Sequence, residues 1–189
     1  MSDDLIPATK GSGPLLQRDY WAVFKACDLG PRDLITYVRQ HFCELPPASL
    51  VEFDASSGLD LGAHLDILIR PGQHCAVRVI HENAQSFTLG TLAGHPEAGR
   101  ITFGSYRNPA GDVIFHIRSR ARSSDSLKRV GFLALGDAMQ TNTWADFIRS
   151  AAAGVGATID AIHADTSPVD DLPEDDEPLD SPTYLAVGE

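Results

Sequence analysis

The sequence has few cysteines and no long apolar run, and both features narrow the class of protein. Its three cysteines, Cys27, Cys43 and Cys75, form no CxxC. An odd number without a close pair predicts reduced thiols rather than a disulfide framework. No apolar signal-peptide core follows the start, and no run approaches the roughly 20 residues that span a bilayer. We therefore expect a cytoplasmic protein without a membrane span.

The short motifs that mark common enzyme classes are also missing. The seven histidines form no HExxH, and there is no GxSxG, P-loop or dinucleotide fingerprint. We therefore predict no cofactor, no metal and no defined set of catalytic residues. A metal held by His64, Asp66 and His116 is a less favoured alternative.

Acidic residues are concentrated at one end of the chain. The net charge is -11, but residues 154–189 hold ten acids and no Lys or Arg, which leaves 16 acids against 15 bases elsewhere. We expect residues 1–16 to be a flexible leader, 17–153 a single domain and 154–189 a disordered, Pro-rich acidic tail. A protein partner for this tail is one hypothesis.

Strand-forming residues in the middle of the chain alternate with polar ones. A period of two predicts strands with one buried face. Turn sequences such as residues 108–111, with their Pro and Gly, separate neighbouring strands, which should pair as antiparallel hairpins. The predicted strands are residues 18–27, 49–53, 59–69, 74–82, 85–92, 100–107 and 112–121.

The same alternation predicts the two faces of the sheet. Odd positions from 65 to 117 are mostly apolar and should face a core, whereas even positions carry His64, Asp66, His116 and six arginines and should face water. Because residues 1–153 are nearly neutral and no aromatic residues alternate with the arginines, we expect no nucleic-acid partner. A weak, salt-dependent contact of the tail with this face is a further hypothesis. The arginines are Arg70, Arg78, Arg100, Arg118, Arg120 and Arg122.

Two helices are predicted on either side of the main run of strands. Pro31 and Asp33 suit a first helical turn, and apolar residues at helical spacing extend the helix over residues 31–42. After Ser123 the period changes to about 3.6, which predicts a helix ending near Gly154 that is long enough to cross the sheet. One stripe of this helix carries Phe132, Leu135, Met139, Thr143 and Phe147.

The element order resembles the helix-grip fold of START-like (SRPBCC-type) and pollen-allergen-like proteins. In that α+β fold a curled antiparallel sheet, here of about seven strands, grips a long C-terminal helix over an apolar cavity. GTLAGHPEAGRITF (residues 90–103) and DVIFHIRSRA (residues 112–121) also resemble the signature of a bacterial and plant domain-of-unknown-function family with a GTLPGHPE-like motif. Ala93 stands where that pattern has Pro, and Arg100 where it tends to have an acid. The resemblance covers residues 20–153 and implies no settled activity.

Sheet and helix residues that should face each other are candidates to line such a cavity. Core packing is an equally good interpretation of the same residues. In a cavity, Ser105 and Thr143 would be the polar handles for a lipid-like or aromatic ligand. His95 and Glu97 lie in the predicted loop 94–99, near a cavity mouth, although His95 could simply shape that loop. The candidate lining residues are Phe103, Ser105, Phe115, Ile117, Phe132, Leu135, Met139 and Thr143.

The leading hypothesis is a protein that binds a small apolar ligand without transforming it. The first alternative is an enzyme of cyclase, hydratase or hydrolase type, with His95, Glu97 or His116 as acid or base. The second is an interaction module that works through the acidic tail. The sequence gives no indication of the oligomeric state.

Overall fold

Eight strands form one antiparallel sheet that curls around the C-terminal helix. The computed structural model describes residues 4–56, 58–124 and 129–169, with the side chains of 129–138 left out. The strands and α-helices in chain order are β1 Ser12–Phe24, α1 Pro31–His41, β2 Val51–Asp54, β3 His64–Ile69, β4 Gln73–Glu82, β5 Ser86–Thr91, β6 Glu97–Arg107, β7 Val113–Ser123, α2 Arg129–Gly154 and β8 His163–Val169. Across the sheet the strands are ordered β2-β3-β4-β5-β6-β7-β1-β8.

The predicted α+β helix-grip architecture is confirmed, with differences at the ends of strands. β6 begins at Glu97, so Glu97 is a strand residue and the predicted loop 94–99 is wrong beyond Pro96. The PEAG sequence reads as a turn, but residues 97–99 pair with residues 121–123 of β7. Gly99 makes that pairing geometrically feasible, since a Cβ there would lie 2.2 Å from the carbonyl oxygen of Arg120.

Both ends of the described chain carry structure that the sequence pattern did not indicate. β1 begins at Ser12, inside the segment predicted to be a flexible leader, and Ile6 N–H donates to the Thr91 carbonyl oxygen at 2.9 Å. β8 lies inside the segment predicted to be a disordered tail, and it pairs along β1 from Leu15 to Trp21. The sequence of β8, HADTSPV, is polar and has no apolar face. Backbone hydrogen bonds to β1, rather than burial of side chains, therefore hold this strand in the sheet.

Helix α1 turns its apolar side toward the inner face of the sheet. Pro31 opens the helix and Asp33 lies in its first turn, where an acid complements the helix dipole. Leu34, Ile35 and Val38 are buried at helical spacing. The chain leaves the helix directly at Phe42, which is also buried.

The odd-numbered face of the sheet is the inner face, as predicted for positions 65 to 117. Phe103 and Phe115 on this face are fully buried, and Ile117 beside them is too. In β1 the parity is reversed, because Tyr20 pairs with Ile117 and therefore shares its face. The other buried residues of the inner face are Leu65, Ile67, Cys75, Val77, Val79, Phe87, Leu89 and Val113.

Aromatic rings fill the space between this face, α1 and α2. Phe42 lies 5.2 Å from Phe103 and 5.5 Å from Phe147 of α2, measured between ring centroids. Phe87 stacks on Phe103 at 5.0 Å, and Trp144 of α2 meets Phe103 edge-on at 5.4 Å. This part of the interface is therefore a packed core rather than a cavity.

The prediction that the even-numbered face is solvated is wrong at its centre. Thr88, Thr102, His116 and Arg118 are buried there. Cross-strand hydrogen bonds satisfy their polar groups, such as the 2.9 Å contact between the hydroxyls of Thr88 and Thr102. Asp19 lies on this face as well, because it pairs with Arg118 across the β1–β7 ladder. The polar side chains of this face therefore did not indicate that the face is exposed to solvent.

Candidate functional site

A cavity of about 120 Å³ lies between the inner face and the middle of α2, beside the aromatic core. Apolar side chains from six strands, β2 to β7, form most of its wall, and the loop before β6 and helix α2 close it. Its apolar lining residues are Leu50, Val51, Phe53, Ile67, Ile69, Val77, Leu89, Pro96, Ile101, Ala121 and Met139. Its polar lining residues are Thr91, His95, Glu97, Arg100, Ser119, Gln140, Thr143 and Trp144.

The candidate residues from the sequence divide between this cavity and the core. Met139, Thr143, His95 and Glu97 line the cavity. Three others, Phe103, Phe115 and Ile117, are absent from its wall and pack in the core.

Three candidates remain, Ser105 in β6 and Phe132 and Leu135 in α2. Ser105 is buried in the core, where its hydroxyl donates to the Ile114 carbonyl oxygen at 2.8 Å. Phe132 and Leu135 belong to α2, but their side chains lie outside the described residues. Their placement in the cavity stays a prediction.

An ion pair between Arg18 and Glu97 closes one part of the cavity wall. Arg18 Nη1 lies 3.2 Å from Glu97 Oε1, and the two side chains are only 4% and 12% exposed. Gln140 Nε2 of α2 donates to the other oxygen, Oε2, at 2.7 Å. Because both oxygens of Glu97 are engaged, this carboxylate joins β1, β6 and α2.

Arg18 was missed as a site residue, although the sequence carried a signal for it. It precedes Tyr20, Ala22 and Phe24 at a spacing of two, and these residues form the buried face of β1. Alternation therefore places Arg18 on the same inner face. An arginine on a buried face requires a carboxylate partner, but only the register of the folded sheet identifies Glu97 as that partner.

His95 lies in the loop before β6, two residues before Glu97. The Glu97 backbone N–H donates to His95 Nδ1 at 3.0 Å. Burial lowers the pKa of His95, although the Glu97 carboxylate and backbone act in the opposite direction. A pKa below the ordinary value favours the neutral imidazole at pH 7. Nδ1 lies 3.0 Å from both the backbone nitrogen and the carbonyl oxygen of Glu97, so these contacts do not fix which ring nitrogen carries the hydrogen. His95 therefore places a neutral imidazole on the cavity wall.

His116 belongs to a different polar cluster, on the opposite face of the sheet. Its Nε2 lies 2.7 Å from Asp19 Oδ1, which also accepts from Arg118 Nε at 2.5 Å. Its Nδ1 lies 3.3 Å from the hydroxyl of Tyr106. No residue of this cluster lines the cavity. His116 therefore lies away from this cavity, and its role as an acid or base stays a prediction.

The remaining polar candidates are a metal site and the row of arginines on the even-numbered face. Within the described ranges, no group of three His, Cys, Asp or Glu side chains could hold a metal ion. Carboxylates contact two of the arginines in the predicted row, with Arg70 on Glu52 and Arg118 on Asp19. A third, Arg120, donates to Gln17 Oε1 at 2.7 Å. No helix in the described part of the chain is long and apolar enough to cross a membrane.

A cavity between a curled antiparallel sheet and a C-terminal helix defines a START-like helix-grip protein. Residues 48–150 match the family described as Domain of unknown function (DUF1990), and the chain belongs to that family. The match begins just before β2 and ends within α2, so β1, α1 and β8 lie outside it. No curated protein sequence matches the chain.

Solved structures of low sequence identity share the fold. A point mutant of norcoclaurine synthase from Thalictrum flavum, in complex with a transition-state analogue, has a TM-score of 0.54 and 11% identity, covering 76% of this chain and 96% of that one. Major latex-like protein 151 from Panax ginseng has a TM-score of 0.53 and 12% identity over 76% and 99% of the two chains. The di-domain ARO/CYC StfQ from the steffimycin biosynthetic pathway has a TM-score of 0.50 and 11% identity over 75% and 51%. At these identities the likeness concerns the fold alone.

Proposed function

We propose that the protein binds one small, largely apolar and uncharged ligand in the cavity between the sheet and α2. The observation that carries this proposal is the cavity itself, with a volume of about 120 Å³ and a mostly apolar wall. An apolar cavity of roughly 150 Å³ holds a benzene molecule. The ligand should therefore be a single-ring or short-chain molecule. This is a smaller set of molecules than the lipid-like or aromatic ligands predicted from the sequence.

The charges beside the cavity favour an uncharged ligand. Arg18 and Glu97 neutralise each other in a nearly buried pair. Arg100 also borders the cavity, but alternation with Ile101 directs its side chain toward the face that it shares with Arg120. A charged ligand would lose its hydration without gaining a dedicated counterion.

Binding is tested by methyl-resolved NMR of the full chain titrated with toluene. We expect the methyl signals of Val77, Leu89, Ile101 and Met139 to shift together and to saturate. Ala121→Leu adds volume to the cavity wall and should reduce the toluene affinity at least tenfold. Ala110→Leu, at an exposed turn position, is the control and should bind toluene as the wild type does. Scattered shifts that do not saturate, or full binding by Ala121→Leu, would contradict the proposal.

Enzymatic activity in the same cavity is the second candidate function, and His95 is the observation that favours it. Burial lowers the pKa of His95, and a neutral imidazole on the cavity wall could accept or donate a proton in a reaction. The Thalictrum flavum enzyme, bound to a transition-state analogue, illustrates this kind of use of the fold. Native mass spectrometry of protein purified from cells would recover a retained molecule. If the wild type converts that molecule and His95→Gln does not, the protein is an enzyme rather than a binding protein.

The acidic tail as an interaction segment stays a hypothesis, because residues 170–189 lie outside the described residues. Since β8 pairs with β1, a deletion that tests the tail must begin at residue 170. If the deletion leaves the salt dependence of stability unchanged, the tail does not contact the basic face.

A further inference from the structure

His95 offers one polar atom that a molecule in the cavity can contact. The residue lies on the cavity wall and is only partly buried. Its Nδ1 is occupied by the backbone of Glu97, at 3.0 Å from both the nitrogen and the carbonyl oxygen. Nε2 bonds to no polar group of the described residues, yet it is not among the buried side-chain atoms that lack a partner. Nε2 is therefore the accessible nitrogen of this imidazole.

The loop before β6 holds this imidazole in a fixed position. The His95 backbone N–H donates to the Leu92 carbonyl oxygen at 3.0 Å, and the Pro96 carbonyl oxygen accepts from the Ser124 N–H at 2.9 Å. Glu97, whose backbone engages Nδ1, is itself held through its carboxylate by side chains of β1 and α2. A group that is fixed before binding loses little conformational freedom when a ligand arrives. Nε2 is therefore a preorganised contact point for a ligand.

A neutral imidazole in this position favours a hydroxyl group as its partner. Nε2 either donates or accepts a hydrogen bond, depending on which ring nitrogen carries the hydrogen. A hydroxyl group does both, so it can pair with Nε2 in either tautomer. A carboxylate would enter a cavity whose wall already carries the Glu97 carboxylate, and a pure hydrocarbon would leave Nε2 without a hydrogen bond.

We propose that the ligand carries one neutral hydroxyl group, as a phenol does, and that this hydroxyl forms a hydrogen bond with His95 Nε2. The proposal rests on the proposed binding function and specifies its ligand class. The apolar wall surrounds the ring or chain of the ligand, and His95 sets its orientation. The opposing interpretation is that His95 only shapes its loop through Nδ1, and the experiment must separate the two.

Phenol and toluene test the hydroxyl preference on the full chain, because they have similar volumes and differ in one group. Phenol should bind about fivefold more tightly than toluene or better, since it gains a net hydrogen bond. A cavity without a polar contact would instead favour toluene, because the phenol hydroxyl would lose its hydrogen bonds to water. Nitrogen NMR of the imidazole reports the contact directly. Phenol should shift the Nε2 signal of His95, and toluene should leave it nearly unchanged.

Two replacements of His95 separate the roles of its two nitrogens. An asparagine amide reaches only as far as Nδ1, so His95→Asn keeps an acceptor for the Glu97 N–H and loses the contact at Nε2. Its phenol-to-toluene affinity ratio should fall about fivefold while toluene still binds. A glutamine amide reaches the position of Nε2, so His95→Gln should keep most of the preference. His74→Asn is the control, because His74 is exposed on β4 and does not line the cavity.

The outcomes separate this proposal from the proposed binding function. If toluene binds in the cavity as tightly as phenol, or if phenol leaves the Nε2 signal unchanged, the hydroxyl proposal is overturned and the binding function stands. The same holds if His95→Asn keeps the wild-type ratio, or if His95→Gln loses as much of it as His95→Asn. If His95→Asn does not fold, the Nε2 signal of the wild type decides. If neither compound shifts the cavity methyl signals, the binding function fails, and the hydroxyl proposal fails with it.

Discussion

Replacing Asp19 with Asn should destabilise the protein in a pH-dependent way. Asp19 Oδ1 accepts from His116 Nε2 at 2.7 Å and from Arg118 Nε at 2.5 Å, and Oδ2 accepts from Gln17 Nε2 at 2.7 Å. Burial raises the pKa of Asp19, but the hydrogen bonds and charges of His116 and Arg118 outweigh it and hold the pKa at about 2. The ordinary value is 3.8.

The magnitude follows from linkage between ionisation and folding. Each pH unit between the folded and unfolded pKa contributes about 1.4 kcal/mol, so the Asp19 carboxylate stabilises the fold by about 2 kcal/mol at pH 7. Because the folded pKa is depressed, this contribution is present above the unfolded pKa and is lost as the pH falls toward 2. At pH 3 about half of it, roughly 1 kcal/mol, should remain. Asparagine resembles the protonated carboxyl group at every pH, so the deficit of the variant should follow this curve.

Urea unfolding followed by tryptophan fluorescence and circular dichroism, at pH 7, 5, 4 and 3, measures the free energy of unfolding. Asp66→Asn is the control, because the Asp66 side chain is 68% exposed and its only described contact is His64 at 3.4 Å. We expect the control to change stability by less than about 0.5 kcal/mol. A deficit of Asp19→Asn that is absent at pH 7, or that is still undiminished at pH 3, would refute the reasoning.

Two further predictions concern a glycine and two cysteines. Gly99→Ala should lower the free energy of unfolding by about 2–4 kcal/mol, because its φ is +150° and the added Cβ would lie 2.2 Å from a backbone oxygen. Gly72→Ala, with no atom within 4 Å of the added Cβ, should be nearly neutral in the same urea titration. Burial raises the pKa of Cys75 to about 12, so native protein at pH 8 should leave Cys75 unlabelled by iodoacetamide while the exposed Cys43 reacts slowly. Peptide mass spectrometry before and after unfolding in urea checks this, and rapid labelling of native Cys75 would contradict it.

Much of the fold was predictable because it depends on local periodicity. A period of two located the six central strands and their inner face, and the change to about 3.6 located α2. Three strand features were missed, the early start of β1 at Ser12, the early start of β6 at Glu97 and the strand β8, and each lacks that periodicity. Backbone pairing with a neighbouring strand holds them, and the sequence of a single segment does not report its partner.

The candidate site was predictable only in part. Met139, Thr143, His95 and Glu97 were identified, since a helix stripe and a loop at the end of the sheet point to them. Ser119 and Gln140 were missed, because a single serine in a strand or glutamine in a helix is unremarkable until a cavity adjoins it. His116 was assigned to a solvated face, and only the cross-strand register brings Asp19 beside this buried histidine.

The sequence alone therefore determined the α+β class, the order of most elements and the apolar face, since each depends on neighbours along the chain. Tertiary structure decided where the core is filled and where a cavity remains, because aromatic rings from the residue after α1, the sheet and α2 meet only after folding. It also decided that Arg18, Glu97 and Gln140 form one cluster, although they are far apart along the chain. Charge pairing and cavities are properties of three-dimensional packing, and residues distant in sequence create them together.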